Sequence, residues 1–115
     1  MVYKNGSYEV KMNEHMRGGD GVVRIDHLLS KQDMYDKGRL FARITLAPGC
    51  SIGPHVHEGE MEAFYIVSGT AVFTDGGETT VVTAGDTTLT VSGGTHSIRN
   101  EGAEPVELVA LILYR

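Results

Sequence analysis

His55 and His57 stand two residues apart, a spacing that puts both imidazoles on one face of an extended strand. Glu62 follows after His57-Glu58-Gly59-Glu60, which reads as a turn with Glu58 and Glu60 in solvent. His96 comes just after Gly93-Gly94, where a hairpin can bring it back over the same face. Three imidazoles and one carboxylate are a competent ligand set for one divalent transition metal ion: Mn, Fe, Co, Ni, Cu or Zn. Four ligands leave one or two positions open on a five- or six-coordinate ion, which separates a reactive site from a closed structural one. Spacing alone leaves open that the pair is two ordinary surface or core histidines. His15 and His27 sit in no motif and are expected at the surface or an interface, not as ligands. Cys50 has no thiolate-stabilising neighbour in sequence and reads as a small buried side chain.

The elements that must position these groups are strands. Glycine, present 15 times in 115 residues, leaves little room for long helices. One short helix is expected where Ser30 can cap a turn with Asp33 and Gly38 can end it. Leu40, Ala42, Ile44 and Leu46 alternate up to Ala47-Pro48-Gly49, and Arg39 and Arg43, of opposite parity, are expected to face solvent or another subunit. Residues 63–68 form an apolar run. Residues 70–74 and 78–83 flank Asp75-Gly76-Gly77 as a hairpin, 87–92 and 95–100 flank Gly93-Gly94 as a second, and 106–114 close the chain as a buried strand. Tyr8, Val10 and Met12 alternate before an Arg17–Gly21 loop, and Val23, Ile25, His27 and Leu29 alternate after it. That pattern is an N-terminal strand pair added to an antiparallel sandwich or barrel.

Composition narrows the setting. At 12.4 kDa, with 41% hydrophobic and 22% charged residues, the chain is one globular domain. A net charge of -5 argues against a nucleic-acid or anionic-membrane surface. One cysteine allows no internal disulfide, and neither a signal peptide nor a membrane-spanning run is legible, so a cytoplasmic protein is expected.

Gly49 to Gly69, GCSIGPHVHEGEMEAFYIVSG, resembles the first motif of the cupin superfamily: Gly, five residues, His-x-His, four residues, Glu, six residues, Gly. Gly85 to Asn100, GDTTLTVSGGTHSIRN, resembles the second, with Gly85, Gly93, His96 and Asn100 in place and Val91 where proline is usual. The resemblance implies an all-β double-stranded β-helix, or jelly-roll barrel, with His55, His57, Glu62 and His96 as metal ligands. Phe64, Ile66 and Ile98 share the ligands' parity and should line the interior as a substrate pocket, with Tyr65, Ser97 and Arg99 outside and Asn100 fixing a turn. Residues 1–115 form a single cupin domain on this reading, with the barrel in 39–115 and strands in 1–29 joining two copies as a homodimer.

Function follows from the open metal positions. A bidentate oxygen ligand would be polarised there, opening lyase or decarboxylase, isomerase or dioxygenase chemistry on a small carboxylate or sugar-like substrate. A non-catalytic ligand-binding or sensor module is the alternative, and a scaffold without a use for its metal is a third. Oxalate-decarboxylase-like and sugar-phosphate isomerase activities are less favoured. Oxalate-handling cupins carry arginine or asparagine three residues before the first histidine, and here that residue is Ile52; the apolar pocket suits a sugar phosphate poorly. Chelation of oxalate by the metal needs no such residue.

Overall fold

The computed structural model describes residues 1–115 as ten strands and one 3-10 turn. The strands are β1 Glu9–Glu14, β2 Val22–Leu29, β3 Gly38–Leu46, β4 Ser51–Val56, β5 Glu60–Ser68, β6 Thr70–Asp75, β7 Glu78–Thr83, β8 Thr87–Thr90, β9 Thr95–Arg99 and β10 Val106–Tyr114. They form an all-β, cupin-like jelly roll of two antiparallel sheets, one ordered β1-β2-β3-β10-β5-β8 and the other β4-β9-β6-β7. No helix is long and apolar enough to cross a membrane.

Period-2 alternation builds the core. Ala42, Ile44 and Leu46 of β3 lie opposite Ala110, Leu108 and Val106 of β10, and all six are buried. Phe64 and Ile66 of β5 continue that face, and Ile52, Phe73, Ala71 and Ile98 meet it from the other sheet. The four motif glycines, 49, 69, 85 and 93, all hold φ between 82° and 93°, a left-handed backbone that only glycine adopts without strain. Asn100 closes the turn after β9: its Nδ2 donates to the carbonyls of Leu46 and Glu104, and its Oδ1 accepts from the Gly102 N–H.

Three local expectations give way. The Ser30–Asp33 capping bonds form reciprocally at 3.0 Å, but Tyr35 and Asp36 turn left-handed, so residues 31–36 make turns and no helix. The helical piece is instead a 3-10 turn, Met16–Gly18, inside the segment read as a loop. Gly93-Gly94 does not join a hairpin either. β8 pairs with β5 and β9 with β4 and β6, so the chain crosses between sheets at this point. The turn's backbone binds His57, with the Gly93 N–H donating to the His57 carbonyl and the His57 N–H donating to Gly94.

Candidate metal centre

Each of the four candidate ligands is delivered by a different feature of the chain. Ile52 and His55 are three apart yet both pair inward against Ile98 and His96, because the β4–β9 register slips at Gly53-Pro54. His57 lies just past β4, held by the glycine turn before β9. Glu62 faces inward from β5 beside Glu60, Phe64 and Ile66. His96 sits between Phe64, stacked at 5.2 Å between ring centroids, and Phe73, edge-on at 5.5 Å.

The structure brings His55, His57, Glu62 and His96 together, with one ligand atom from each within 4.8 Å of all the others. His57 Nε2 is 3.1 Å from His96 Nε2, and His55 Nε2 is 3.2 Å from His96 Nε2. Glu62 Oε1 is 2.9 Å from both His57 Nε2 and His96 Nε2. With metal–ligand bonds of about 2.1 Å, ligands at right angles stand about 3.0 Å apart and tetrahedral ones about 3.4 Å. The measured edges match the right-angled arrangement, which is the one that leaves coordination positions open.

The far side of each ring explains why the near side is bare. His55 Nδ1 donates to the Gly53 carbonyl at 2.8 Å, and His57 Nδ1 to Glu60 Oε1 at 2.8 Å. His96 Nδ1 bonds Thr90 Oγ1 at 2.7 Å. A carbonyl and a carboxylate only accept, so Nδ1 carries the proton in His55 and His57, and Thr90 Oγ1 can accept from His96 Nδ1 in the same way. In that tautomer the three Nε2 lone pairs and the Glu62 carboxylate converge as four acceptors without a donor between them. Such a cluster repels itself unless a cation sits at its centre, so the donor set fits a divalent metal.

Glu60 is the residue that sequence reading missed. It is 8% exposed, not in a solvated turn, and Arg39 grips both its oxygens at 2.7 and 2.6 Å. The Arg39 guanidinium, helped by His57, holds its carboxyl down at about 2 against the cost of burial. Ionised at neutral pH, Glu60 can only accept, which fixes the His57 tautomer. Alternation through Glu60, Glu62, Phe64 and Ile66 carried that signal; reading residues 57–60 as a glycine turn hid it. Arg39 is thus not simply solvated: it is committed to Glu60. Burial lowers the His55 pKa, favouring the neutral ring that a metal requires.

A cavity of about 210 Å³ opens beside the cluster, with His55, His57, Glu62, Phe64, Ile52 and Arg39 among its lining. Ile66 and Ile98 are fully buried in the core and do not reach it. Lys11, Asn13, Arg17 and His27 from the N-terminal segment complete its rim. His15 stays apart, its Nδ1 bonding the Gly19 carbonyl at 3.2 Å. A larger hollow of about 510 Å³ lies outside, around Tyr3, Tyr8 and Asp33, with none of the four ligands in its lining.

Residues 42–112, more than half of the chain, match the cupin domain family. The chain belongs to the cupin family. This cupin is 46% identical to an oxalate-binding protein of Thermotoga maritima over 98% of its own length and 93% of that protein's. It superposes with a TM-score of 0.96 and 45% identity on the crystal structure of a predicted oxalate decarboxylase from the same organism, covering 100% of both chains. It is also 37% identical to the xanthan biosynthesis protein XanB of Xanthomonas campestris over 67% of its own length, but that match spans only 17% of XanB. It is therefore a cupin whose clustered His/Glu site is suited to coordinating a divalent metal ion.

Proposed function

We propose that this cupin is a metal-dependent enzyme acting on a small carboxylate that chelates the metal through two oxygens. His55, His57, Glu62 and His96 are the ligands in this reading, and the observation that carries it is their convergence as four bare acceptors beside an open cavity. When bound, the metal supplies Lewis acidity and polarises a coordinated oxygen. The chain's own residues do the rest. Glu60 and Arg39 orient His57, Phe64 and Phe73 fix the plane of His96, and Ile52, Leu40 and Phe64 limit water in the cavity. The resemblance to an oxalate-binding protein supports a carboxylate over a sugar.

Binding without turnover is the second reading, favoured by one observation. The acidic group nearest the ligands, Glu60, is locked by Arg39 and not free to move a proton. Metal analysis of the purified protein, followed by a turnover screen of metal-loaded protein against oxo-, hydroxy- and dicarboxylic acids, separates the two. Product formation supports the enzyme, and thermal shifts without product support the binding module. Loss of the chelation reading altogether would follow if His57→Ala retained full metal content.

We also assign residues 1–29 a role in joining two copies, supported by the open edge of β1 and by Val10 and Met12, which are exposed on it. Deleting residues 1–20 should lower the sedimented mass from dimer to monomer; an unchanged mass overturns that assignment.

A further inference from the structure

We infer that the N-terminal segment carries the second half of the ligand site: Lys11, Asn13 and Arg17 form an anion subsite for the distal carboxylate of a dicarboxylate. The inference rests on the chelation reading above and specifies its substrate class. All three residues lie outside residues 42–112, the stretch that matches the cupin family.

On β1, exposed Lys11 and half-buried Asn13 lie on the side that lines the cavity. Lys11 pairs with Ile25 and Asn13 with Val23, and cross-strand partners share a face. Ile25 and Val23 are buried inner-face residues, so Lys11 and Asn13 face the cavity while Val10 and Met12 face outward, both well exposed. Neither Lys11, Asn13 nor Arg17 makes a side-chain hydrogen bond or ion pair, in contrast to Arg24, Arg39, Arg43 and Arg99, which are all paired with carboxylates. Lys11 stands between the two spaces, lining both this cavity and the outer hollow, whereas Asn13 and Arg17 line this cavity and not the hollow, and Glu9 lines the hollow alone.

Arg17 is held at the rim under backbone strain. It and His15 are non-glycine residues at φ 55° and 50°. The turn that carries them is clamped to β4 just ahead of His55. A Cβ on Gly19 would collide with the Ser51 carbonyl, and one on Gly53 with the Arg17 carbonyl. Ser51 N–H donates to Asp20 and Asp20 N–H to Ser51 Oγ, both at 2.9 Å. The strained residue is one whose unpaired side chain lines the same cavity as His55, His57 and Glu62, on a protein whose net charge is -5. The cavity's 210 Å³ equals about seven water volumes, which suits a four-carbon diacid with one end on the metal and the other at the rim.

The test is titration of malate and lactate into Mn²⁺-loaded protein. The two acids share a 2-hydroxy acid head, and only malate has a distal carboxylate. Wild type should bind malate at least about 10-fold more tightly than lactate. Lys11→Gln combined with Arg17→Gly should erase that preference, leaving lactate and Mn²⁺ affinities unchanged. Glycine relieves the backbone at position 17, so loss through unfolding is not an issue there, and Lys11→Gln alone should give part of the effect. Equal affinities for the two acids in wild type, or a malate preference that survives both substitutions, would overturn the subsite and leave chelation standing. If wild type binds neither acid, chelation and subsite fall together.

Discussion

The inner face of the six-stranded sheet carries two different surfaces. Across β3, β10 and the Phe64–Ile66 end of β5 it is apolar and tightly packed, with Ile44, Leu108 and Ile66 each at most 1% exposed, and only Glu60 and Glu62 of β5 break the apolar run. At β1 the same face presents Lys11 and Asn13 to a cavity, and the strand's apolar side, Val10 and Met12, looks outward. The difference teaches that alternation reports which residues share a face but not which face is inside. In the floor, packing energy decides, because each buried aliphatic side chain contributes about 1.5–3 kcal/mol. At the rim there is little to pack against, and the chemistry of the cavity decides instead.

If the His/Glu cluster facing this floor holds the metal, changes in the cluster should act on metal before anything else. His57→Ala or Glu62→Gln should abolish stoichiometric metal content, measured by elemental analysis after dialysis. Glu60→Gln should have the next largest effect. It keeps the shape of the side chain but removes the charge that Arg39 grips and that fixes the His57 proton, so metal affinity should fall about 10- to 100-fold. Arg39→Lys should do the same to a lesser degree, because lysine cannot make the paired contact. Unchanged affinity in Glu60→Gln would show that the His57 tautomer is set by the metal alone.

The two regions were unequally legible in the sequence. Around the cluster, the glycine-bounded motifs of the cupin resemblance agree with strand parity, so the convergence of His55, His57, Glu62 and His96 could be read without coordinates. Glu60 escaped because a glycine beside it looked like a turn. The Gly93-Gly94 crossover escaped because a two-glycine turn has the same local signature whether the chain stays in one sheet or changes sheets. The position of Arg17 was beyond any local pattern. It depends on two glycines, 19 and 53, that are 34 residues apart (53 − 19) and allow two backbones to touch.

That contact offers a way to separate rim from floor. Gly53→Ala should push the Met16–Gly19 turn off β4, and overpacking of this kind costs about 1–3 kcal/mol. The melting temperature should drop, while metal content should be retained as long as the Gly53 carbonyl keeps its bond to His55 Nδ1. Gly19→Ala should behave alike, since its Cβ meets Ser51 across the same contact. Loss of metal in step with stability would mean that rim and floor form one cooperative unit.

The smallest effect is expected on the outer face, where the N-terminal segment meets the floor through Asp26. Its carboxylate is 2% exposed and paired with Arg24 at 2.9 Å and Arg43 at 2.7 Å, joining β2 to β3. Hydrogen bonds from Arg24, then from Arg43, outweigh burial and lower its pKa. A carboxyl with a lowered folded-state pKa stabilises fully above its unfolded value, about 3.9, and loses that contribution as pH falls through the folded value. Both arginines are partly solvated, which screens the pair and keeps the effect modest. Stability between pH 7 and 5 should therefore be flat with respect to this group, and acid unfolding should steepen below about pH 4. In Asp26→Asn the steepening should diminish, by denaturant melts across that range. The same steepening in the variant would place acid sensitivity elsewhere, and leave β2 attached to β3 by its ladder and its inward row of Val23, Ile25 and His27 alone.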